Sequence, residues 1–372
     1  MAQPIKALCI TEDLDRPTAA TFVGLSRAGV DIAVACPASS ELRASLQEQG
    51  VRLLDLPLHK RRDSGAVRAL RTELSNGRYD ILHLFSNTAL QNGLAASRGL
   101  PVKIVAYRGI VGNVSFFSPV SWLRFLNPRI DRIVCVADAV RDYFLRMRPA
   151  FLRLPRERLV TIYKGHRLDW YRAAPADLAA VGVPTGSFAI ACVANYRPRK
   201  GIEVLVDAFG RLPDSTNPHL LLIGGGMDAP RLQRRIAASP AASRIHVLGY
   251  RKDAPALTAA CDVFVLPSTK REGLARSLIE AMAYGVAPVV TDCGGSPELV
   301  QHGVSGLVVP VADATALAAA IRMLQDDAAL RARLGADARE RIGRDFRIED
   351  TIAKTLALYR SLAEPSGVPA GR

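Results

Sequence analysis

Two glutamates in one segment, Glu272 and Glu280, are the strongest candidates for chemistry in this chain. A strand-like run ends at Leu266, a polar loop follows, and the pattern predicts a helix that opens at Gly273 and stops near Gly285. Glu280 would then lie two turns inside the helix, about 11 Å along its axis from Glu272. The two carboxylates cannot share a proton at that separation. They are predicted to contact two separate parts of one extended ligand.

Backbone N–H groups at the start of this predicted helix form a candidate anion site. Gly273, Leu274 and Ala275 lie where N–H groups lack intrahelical partners, and the helix dipole favours an anion at this end. A second loop-to-helix turn, Gly294-Gly295-Ser296-Pro297-Glu298, follows the next predicted strand. The whole segment, PSTKREGLARSLIEAMAYGVAPVVTDCGGSPELV, therefore predicts a binding loop for an anionic ligand.

A basic loop upstream supplies positive charge. In VANYRPRKGIEVLVDAF a predicted strand ends near Asn195, and the loop that follows carries Arg197, Arg199 and Lys200. Fixed cations of this kind suit an anionic group of a ligand. A solvated basic turn without a ligand is the alternative.

A glycine turn, Gly224-Gly225-Gly226, follows another predicted strand and loosely fits the dinucleotide fingerprint. That interpretation needs an acidic residue at the end of the next strand. The next predicted strand, Arg244–Leu248, instead runs into Gly249, Tyr250, Arg251 and Lys252. A nicotinamide site is therefore disfavoured, and a hydride-transfer enzyme stays a minor hypothesis.

Together these segments resemble the donor-binding signature of the family 4 retaining glycosyltransferases, which have the two-domain GT-B fold. The family pattern is a Glu, seven residues, a second Glu, Ala-Met-Ala-x-Gly, a short strand and Gly-Gly-x-x-Glu. This chain supplies Glu272, Glu280, the run Ala281-Met282-Ala283-Tyr284-Gly285, Gly294-Gly295 and Glu298. The resemblance implies that Glu272 contacts the donor sugar, that Glu280 contacts the ribose hydroxyls, and that the backbone of Gly273–Ala275 meets the phosphates.

The resemblance extends to the basic loop and the glycine turn, with one departure. Lys200 and the glycine after it match the family pattern, but Asn195 stands where the family has an arginine. Arg197 is therefore predicted to take over the guanidinium role. Gly224 and Gly225 hold the place of the turn that lines the nucleotide, so the resemblance assigns them, with Asn195, to donor binding.

The N-terminal half matches the family less well. The family's Gly-Gly turn after the first strand is missing, and Ala137 stands at its usual serine position. Lys164 and His166 depart from its Asn-Gly turn, and His166 is interpreted as a turn histidine. Arg108 follows the predicted strand Lys103–Ala106, in the place of the family's donor-facing histidine. It is predicted to be catalytic, by anchoring phosphate or acceptor, with a structural role as the alternative.

Two α/β domains are expected to position these residues. The chain has 372 residues, more than one core usually serves, and strands alternate with helix-period segments, which implies parallel sheets. The expected architecture is GT-B, two tandem Rossmann-like, doubly wound domains facing a central cleft. The predicted parts are an acceptor-binding domain (1–172), a linker (173–187), a donor-binding domain (188–345), and a helix with a tail (346–372), the helix packing back on the N-terminal domain as one option.

The net charge of +14 is unevenly distributed, because residues 1–170 carry 25 Lys and Arg against 15 Asp and Glu. This half indicates an anionic partner, unless the arginines are merely solvated. Ser115–Asn127 clusters aromatic and aliphatic side chains, and Arg141–Arg158 interleaves six arginines with apolar residues. Basic and apolar residues together suit anionic lipid headgroups. Ordinary helix packing is the alternative.

Composition favours a cytoplasmic globular protein. The six cysteines form no Cys-x-x-Cys pair, which favours free buried thiols over disulfides or zinc. Acidic residues interrupt the N-terminal segment before a signal core, and no apolar run could span a bilayer. Peripheral contact with the inner face of the cytoplasmic membrane is an option.

The predicted function is transfer of a sugar from a nucleoside-diphosphate sugar to a glycan or lipid-linked acceptor, in bacterial surface polysaccharide or lipopolysaccharide biosynthesis. By resemblance the anomeric configuration is retained, and neither a metal nor a cofactor is needed. Nucleic acid is not expected as a partner. The rivals are a non-catalytic protein of the same fold that binds an anionic polymer, and a sugar-nucleotide epimerase that needs no acceptor.

Overall fold

The computed structural model describes residues 4–56, 63–147, 152–213 and 217–364. Contacts divide the chain into two compact units, one formed by the described residues of Met1–Gly165 and Arg347–Arg372, the other by those of His166–Phe346. Each unit is built on one parallel sheet, which confirms the predicted α/β fold class. Arg148 and Phe151 of the basic stretch, and the tail beyond Glu364, lie outside the described residues.

The sheet of the first unit has seven strands in the order β3-β2-β1-β4-β5-β6-β7. All neighbouring strands are parallel, and the order reverses between β1 and β4. The strands are β1 Lys6–Ile10, β2 Asp31–Ala35, β3 Arg52–Leu54, β4 Ile81–Leu84, β5 Lys103–Arg108, β6 Arg132–Cys135 and β7 Leu159–Thr161. The helices between them are α1 Arg16–Arg27, α2 Arg43–Glu48, α3 Ser64–Gly77, α4 Asn87–Ala96, α5 Pro119–Trp122 and α6 Asp138–Leu145.

The sheet of the second unit has six strands in the order β10-β9-β8-β11-β12-β13. The strands are β8 Ala189–Val193, β9 His219–Ile223, β10 Ile245–Gly249, β11 Val263–Leu266, β12 Ala287–Thr291 and β13 Leu307–Val309. The helices are α7 Ile202–Phe209, α8 Pro230–Ala237, α9 Ala254–Ala259, α10 Arg276–Ala283, α11 Ser296–Leu299, α12 Ala314–Asp326 and α13 Ala328–Asp345. Strands such as β9 and β11 are buried at every position, because helices cover both faces of a parallel sheet.

A last helix, α14 (Ile348–Ala363), follows the second unit in sequence but belongs to the first. It packs against α1, and Leu358, Tyr359 and Leu362 join the core of the first unit. The Tyr359 hydroxyl lies 2.8 Å from His83 Nδ1 and 3.5 Å from Cys9 Sγ. This helix therefore completes the hydrophobic core of the N-terminal sheet.

The unit boundaries differ from the predicted domain bounds. The chain changes units after Gly165 and again after Phe346, and the predicted linker 173–187 lies within the second unit. The amide of Ala176 donates to the carbonyl of Ala256 at 3.0 Å, and Val183 is buried. These contacts hold a segment whose composition resembles a linker.

All six cysteines are free and buried, as predicted. Burial raises the pKa of the Cys9 thiol to about 12, and it does the same for Cys135, Cys192 and Cys261. None of the helices in the described part of the chain has the length and hydropathy of a membrane span.

The buried His83 predicts a loss of stability in mild acid. Burial lowers its pKa from 6.5 to about 3. Below pH 6.5 the His83 imidazole is therefore protonated in the unfolded chain but stays neutral in the folded protein. At pH 5 this single group should cost about 2 kcal/mol of unfolding free energy. Denaturant titrations at pH 7 and pH 5 should show a smaller acid loss for His83→Gln than for the wild type. His302→Gln, at an exposed histidine, is the control and should keep the wild-type loss; an unchanged loss in His83→Gln would contradict the prediction.

Candidate functional site

The carboxyl ends of β8 and β11 mark the switch point of the second sheet. β8 pairs with β9 on one side and with β11 on the other, so the connections that leave β8 and β11 run in opposite directions. Doubly wound sheets bind ligands at such points. The loop after β8 carries Lys200, and the loop after β11 carries Glu272.

Lys200 and Glu272 form an ion pair at this point. Lys200 Nζ lies 2.8 Å from Glu272 Oε2, and the side chains are 15% and 8% exposed. The Ser268 hydroxyl donates to the same oxygen at 2.6 Å. Within the described residues no donor contacts the other carboxylate oxygen, Oε1. The carboxylate is therefore held on one side, with its second oxygen available to a ligand.

A second layer of contacts holds the loop that carries Ser268 and Glu272. The Thr291 hydroxyl at the end of β12 donates to the carbonyl of Ser268 at 2.5 Å. The amide of Thr269 donates to the carbonyl of Arg199 at 2.8 Å. The loops after β8, β11 and β12 thus form one hydrogen-bonded structure.

Two glycines permit the close approach of these loops. Gly201 has φ +65°, and a Cβ there would lie 2.0 Å from the carbonyl oxygen of Pro267. Gly294 has φ +56°, and a Cβ there would lie 2.1 Å from the carbonyl oxygen of Glu272. Any side chain would force the loops apart. The glycines beside Lys200 and after β12 therefore serve the geometry of the site.

The helix after Glu272 begins later than predicted. Ala275 is the N-cap residue and has extended backbone, and α10 starts at Arg276. Gly273, Leu274 and Ala275 therefore precede the helix, and Glu280 lies about one turn inside it. The predicted depth of two turns is wrong, because contacts from β12 and the Lys200 loop hold Glu272 in the loop. No side chain of the described residues caps α10, so its first N–H groups point out of the helix start.

Glu280 is partly exposed on α10. Its carboxylate lies 3.6 Å from Arg276 Nε, one turn earlier on the same helix. The side chain is 22% exposed, in contrast to Glu272. This difference in burial agrees with two glutamates that contact different parts of a ligand.

Asn195 and the glycine turn form one substructure at the ends of β8 and β9. Asn195 Oδ1 accepts from the amide of Gly225 at 2.9 Å, and the amide of Tyr196 donates to the carbonyl of Gly225 at 2.8 Å. The amide of Gly224 donates to the carbonyl of Gly249 at 2.7 Å. Asn195 thus shapes the turn that the sequence assigned to the nucleotide.

Arg197 is exposed next to this turn. Its guanidinium makes no hydrogen bond or ion pair with the described residues, so it has donors to offer an anion. That Arg197 takes over the role of the family arginine stays a prediction.

Arg108 lies in the first unit and is buried. Its Nε donates to the carbonyl of Ile110 at 3.0 Å, its Nη2 donates to the carbonyl of Gly112, and its guanidinium lies 4.8 Å from the centre of the Phe125 ring. Burial lowers its pKa to about 10. These contacts hold the loop after β5. The catalytic role of Arg108 stays a prediction, and these contacts with its own loop do not add support to it.

His166 is buried at the start of the second unit. Its Nδ1 lies 2.5 Å from the Tyr171 hydroxyl, which agrees with the interpretation as a turn histidine.

Sequence reasoning missed Ser268, Thr291 and Cys293. The Cys293 thiol is buried next to the Glu272 backbone, and burial raises its pKa. The only sequence signal for Ser268 was its position four residues before Glu272 in the quoted segment. That spacing does not show whether the hydroxyl points toward the carboxylate.

For the sugar transfer predicted from the sequence, Ser268→Ala should lower kcat/KM by about tenfold, because the Glu272 carboxylate would lose one of its two fixed partners. Losing one hydrogen bond should cost only about 1–2 kcal/mol of stability. Ser305→Ala is the matched control, since Ser305 is also buried and accepts from the amide of Gln301 at 2.9 Å. Steady-state kinetics and thermal unfolding of both variants would test this. Equal loss of transfer in both would show a general effect of destabilisation.

Two family models match the chain. The model described as glycosyl transferases group 1 matches residues 175–341, and the model described as glycosyl transferase 4-like domain matches residues 16–165. The first covers the Lys200 and Glu272 loops, and the second covers most of the N-terminal unit.

Curated relatives are matched over part of their length. The chain is 32% identical to N-acetyl-alpha-D-glucosaminyl L-malate synthase of Bacillus anthracis, over 45% of this chain and 44% of the relative. It is 28% identical to the lipopolysaccharide core biosynthesis mannosyltransferase LpsB of Rhizobium meliloti (strain 1021), over 65% of this chain and 68% of the relative. The alignment thus spans less than half of the first relative and about two thirds of the second.

The fold is similar to that of solved structures over nearly the whole chain. The structure of HepE from Anabaena in complex with UDP and glucose superimposes with a TM-score of 0.77, covering 96% of this chain and 100% of that one at 22% identity. At this identity the similarity establishes the fold.

Proposed function

We propose that the chain, a member of the family 4 glycosyltransferases of GT-B fold, transfers a sugar from a nucleoside-diphosphate sugar to a glycan or lipid-linked acceptor. The observation that carries the proposal is the buried Lys200–Glu272 pair at the switch point of the second sheet. It stands beside the uncapped start of α10, where backbone N–H groups favour an anion.

The proposed reaction breaks the bond between the anomeric carbon and the diphosphate oxygen. The acceptor hydroxyl forms the new bond on the same face of the sugar, and its proton passes to the leaving phosphate, so the configuration is retained. The ammonium of Lys200 and the guanidinium of Arg197 stabilise the charge that develops on the diphosphate. No metal or cofactor takes part in this proposal.

In this proposal the two glutamates contact the transferred sugar and the ribose, which lie on either side of the diphosphate. Oε1 of Glu272 accepts from a sugar hydroxyl, while Oε2 keeps its bonds to Lys200 and Ser268. Glu280, one turn inside α10, accepts from the ribose hydroxyls. The Gly273–Ala275 amides contact the phosphates, and the turn at Gly224 and Gly225 lines the nucleotide.

The relatives suggest where to search for substrates. LpsB is by name a lipopolysaccharide core mannosyltransferase, and HepE was solved with UDP and glucose. We therefore propose a bacterial surface glycan or lipopolysaccharide as the acceptor, reached from the cytoplasmic face of the inner membrane. UDP-sugars and GDP-sugars are the first donors to test.

A thermal-shift screen of nucleotides and nucleotide sugars, with a metal chelator present, tests the proposal. Binding to the folded state should raise Tm by mass action, and one nucleoside diphosphate and its sugar should stand out. The anomeric configuration of the product, read by NMR, then tests retention. If no nucleotide sugar binds while heparin or DNA stabilises the protein, the protein is a binder of anionic polymers; donor conversion without an acceptor would indicate an epimerase.

A further inference from the structure

The first unit contains a cavity of about 40 Å³ between its sheet and the helices α1 and α14. The wall includes Phe22 of α1, Val134 of β6, Tyr359 of α14 and Phe85, the residue after β4. The strand order reverses between β1 and β4, and α1 follows β1 in the chain. A cavity between α1 and Phe85 therefore lies at the switch point of the first sheet, where doubly wound sheets bind ligands.

Aromatic rings form much of the wall. The Phe85 ring stacks with those of His83 and Tyr107, at 4.1 Å and 5.4 Å between ring centres, and the Phe22 ring meets it edge-on at 5.5 Å. Phe85 and Tyr107 are partly exposed, whereas His83 and Phe22 are buried, so the wall extends from the surface into the core. A cavity of about 150 Å³ holds benzene, and one water occupies about 30 Å³. This cavity therefore fits a group of a few non-hydrogen atoms, not a sugar ring.

His83 has a ring nitrogen in need of a partner. Its Nε2 is buried and has no hydrogen-bond partner among the described residues. The Tyr359 hydroxyl lies 2.8 Å from Nδ1 and 3.5 Å from the Cys9 thiol. An imidazole nitrogen is a stronger acceptor than sulfur, so the hydroxyl donates to Nδ1 and the hydrogen of the neutral ring is on Nε2. A buried N–H group without an acceptor is costly, so the cavity calls for a ligand atom that accepts.

We propose that the cavity binds the acetyl group of an N-acetylated sugar in the acceptor. The methyl group packs against the aromatic wall, and the carbonyl oxygen accepts from His83 Nε2. The sugar ring stays at the surface beside Lys164, which also lines the cavity and pairs with Asp15 at 2.8 Å. The inference rests on the proposed function, because it names the class of acceptor.

Other occupants fit the cavity less well. A water molecule would satisfy Nε2 but would gain nothing from the aromatic wall, since water needs two to four polar partners. A sugar hydroxyl would likewise leave the apolar part of the cavity empty. An acetyl group combines one acceptor atom with one methyl group, which matches both the size and the chemistry of the wall.

Saturation-transfer difference NMR of the full chain, without a donor, tests the proposal. The probes are the methyl glycosides of N-acetylglucosamine and N-acetylgalactosamine, and the acetyl methyl protons should receive the strongest saturation. Methyl glucoside and methyl galactoside should bind about tenfold more weakly or worse, because they lack the buried methyl group and the carbonyl. N-propionyl analogues should lose about as much, since the cavity has no room for another methylene. Equal binding of acetylated and plain glycosides would overturn the proposal.

Val134→Ile adds one methyl group to the wall and should weaken binding of the N-acetylated glycosides about tenfold or more. Its thermal unfolding should stay close to that of the wild type, because the added group fills existing space. Val34→Ile is the control, since Val34 belongs to the same core but does not line the cavity, and it should bind as the wild type does. Wild-type binding by Val134→Ile would also overturn the proposal.

Nitrogen NMR of histidine-labelled protein supplies a direct measurement. The His83 Nε2 signal, assigned by its absence in His83→Gln, should shift on addition of the N-acetylated glycosides and not of the plain ones. An unchanged signal at saturating glycoside would rule out the proposed hydrogen bond. Donor binding in the nucleotide-sugar screen without glycoside binding would remove this inference alone. Glycoside binding without any donor binding would support the acetyl site and remove the proposed transfer.

Discussion

Lys200→Ala is expected to lower kcat/KM for sugar transfer by about 10²–10³-fold. The ammonium is the best-placed fixed cation at the switch point, and removing one preformed charge-stabilising group typically costs this much. Its nitrogen is held 2.8 Å from Glu272 and is mostly buried, so water does not screen it as it would on the surface. Initial rates over a range of donor concentrations would measure the loss.

The same substitution should also destabilise the protein. Removing one partner of a buried ion pair leaves the other charge uncompensated, which costs about 3–5 kcal/mol. The double variant Lys200→Ala/Glu272→Gln removes both charges and should recover most of this stability while transfer stays lost. If the double variant regained activity together with stability, Lys200 would be a structural residue. Wild-type turnover by Lys200→Ala would rule out the proposed site.

Glu280→Ala is expected to abolish the thermal shift produced by the nucleoside diphosphate. Two hydrogen bonds from ribose hydroxyls to a carboxylate would be lost, which should weaken binding by about 10²–10³-fold. At a ligand concentration about 100-fold above the wild-type Kd, stabilisation of about 2.7 kcal/mol should fall to almost nothing. Thermal unfolding with and without nucleotide gives the result directly.

The control for Glu280 is Glu340. Glu280 pairs with Arg276 at i,i+4 on α10, and Glu340 pairs with Arg344 at the same spacing on α13. Glu340→Ala removes a comparable surface pair and should keep the full nucleotide shift. A full shift in Glu280→Ala would place the ribose elsewhere.

The fold was predictable because most residues of its strands are apolar. Runs such as HLLLI in β9 and VFVL in β11 are typical of strands buried on both faces. Helix α4 had no such clear pattern. It buries Thr88, Asn92 and Gly93 together with Leu90 and Leu94, so no single apolar stripe identifies it.

The candidate site was predictable where residue types alone carry the chemistry. A lysine after one strand and a glutamate after another could be found by spacing, and the sheet order brings them together. The start of α10 could not be found in this way, since contacts with residues distant in sequence hold Glu272 in the loop. Ser268 and Thr291 were missed for the same reason: the direction of a hydroxyl depends on residues far away in sequence.

The position of α14 has a consequence for biosynthesis. The ribosome releases all of the second unit before the helix that supplies Leu358, Tyr359 and Leu362 to the first core. Domains usually fold in order of synthesis, but here the N-terminal sheet emerges first and its core can be completed only last. Until α14 has been synthesised, the apolar surface around Cys9 and His83 stays uncovered. We expect the nascent chain to be most prone to aggregation and chaperone binding during that time.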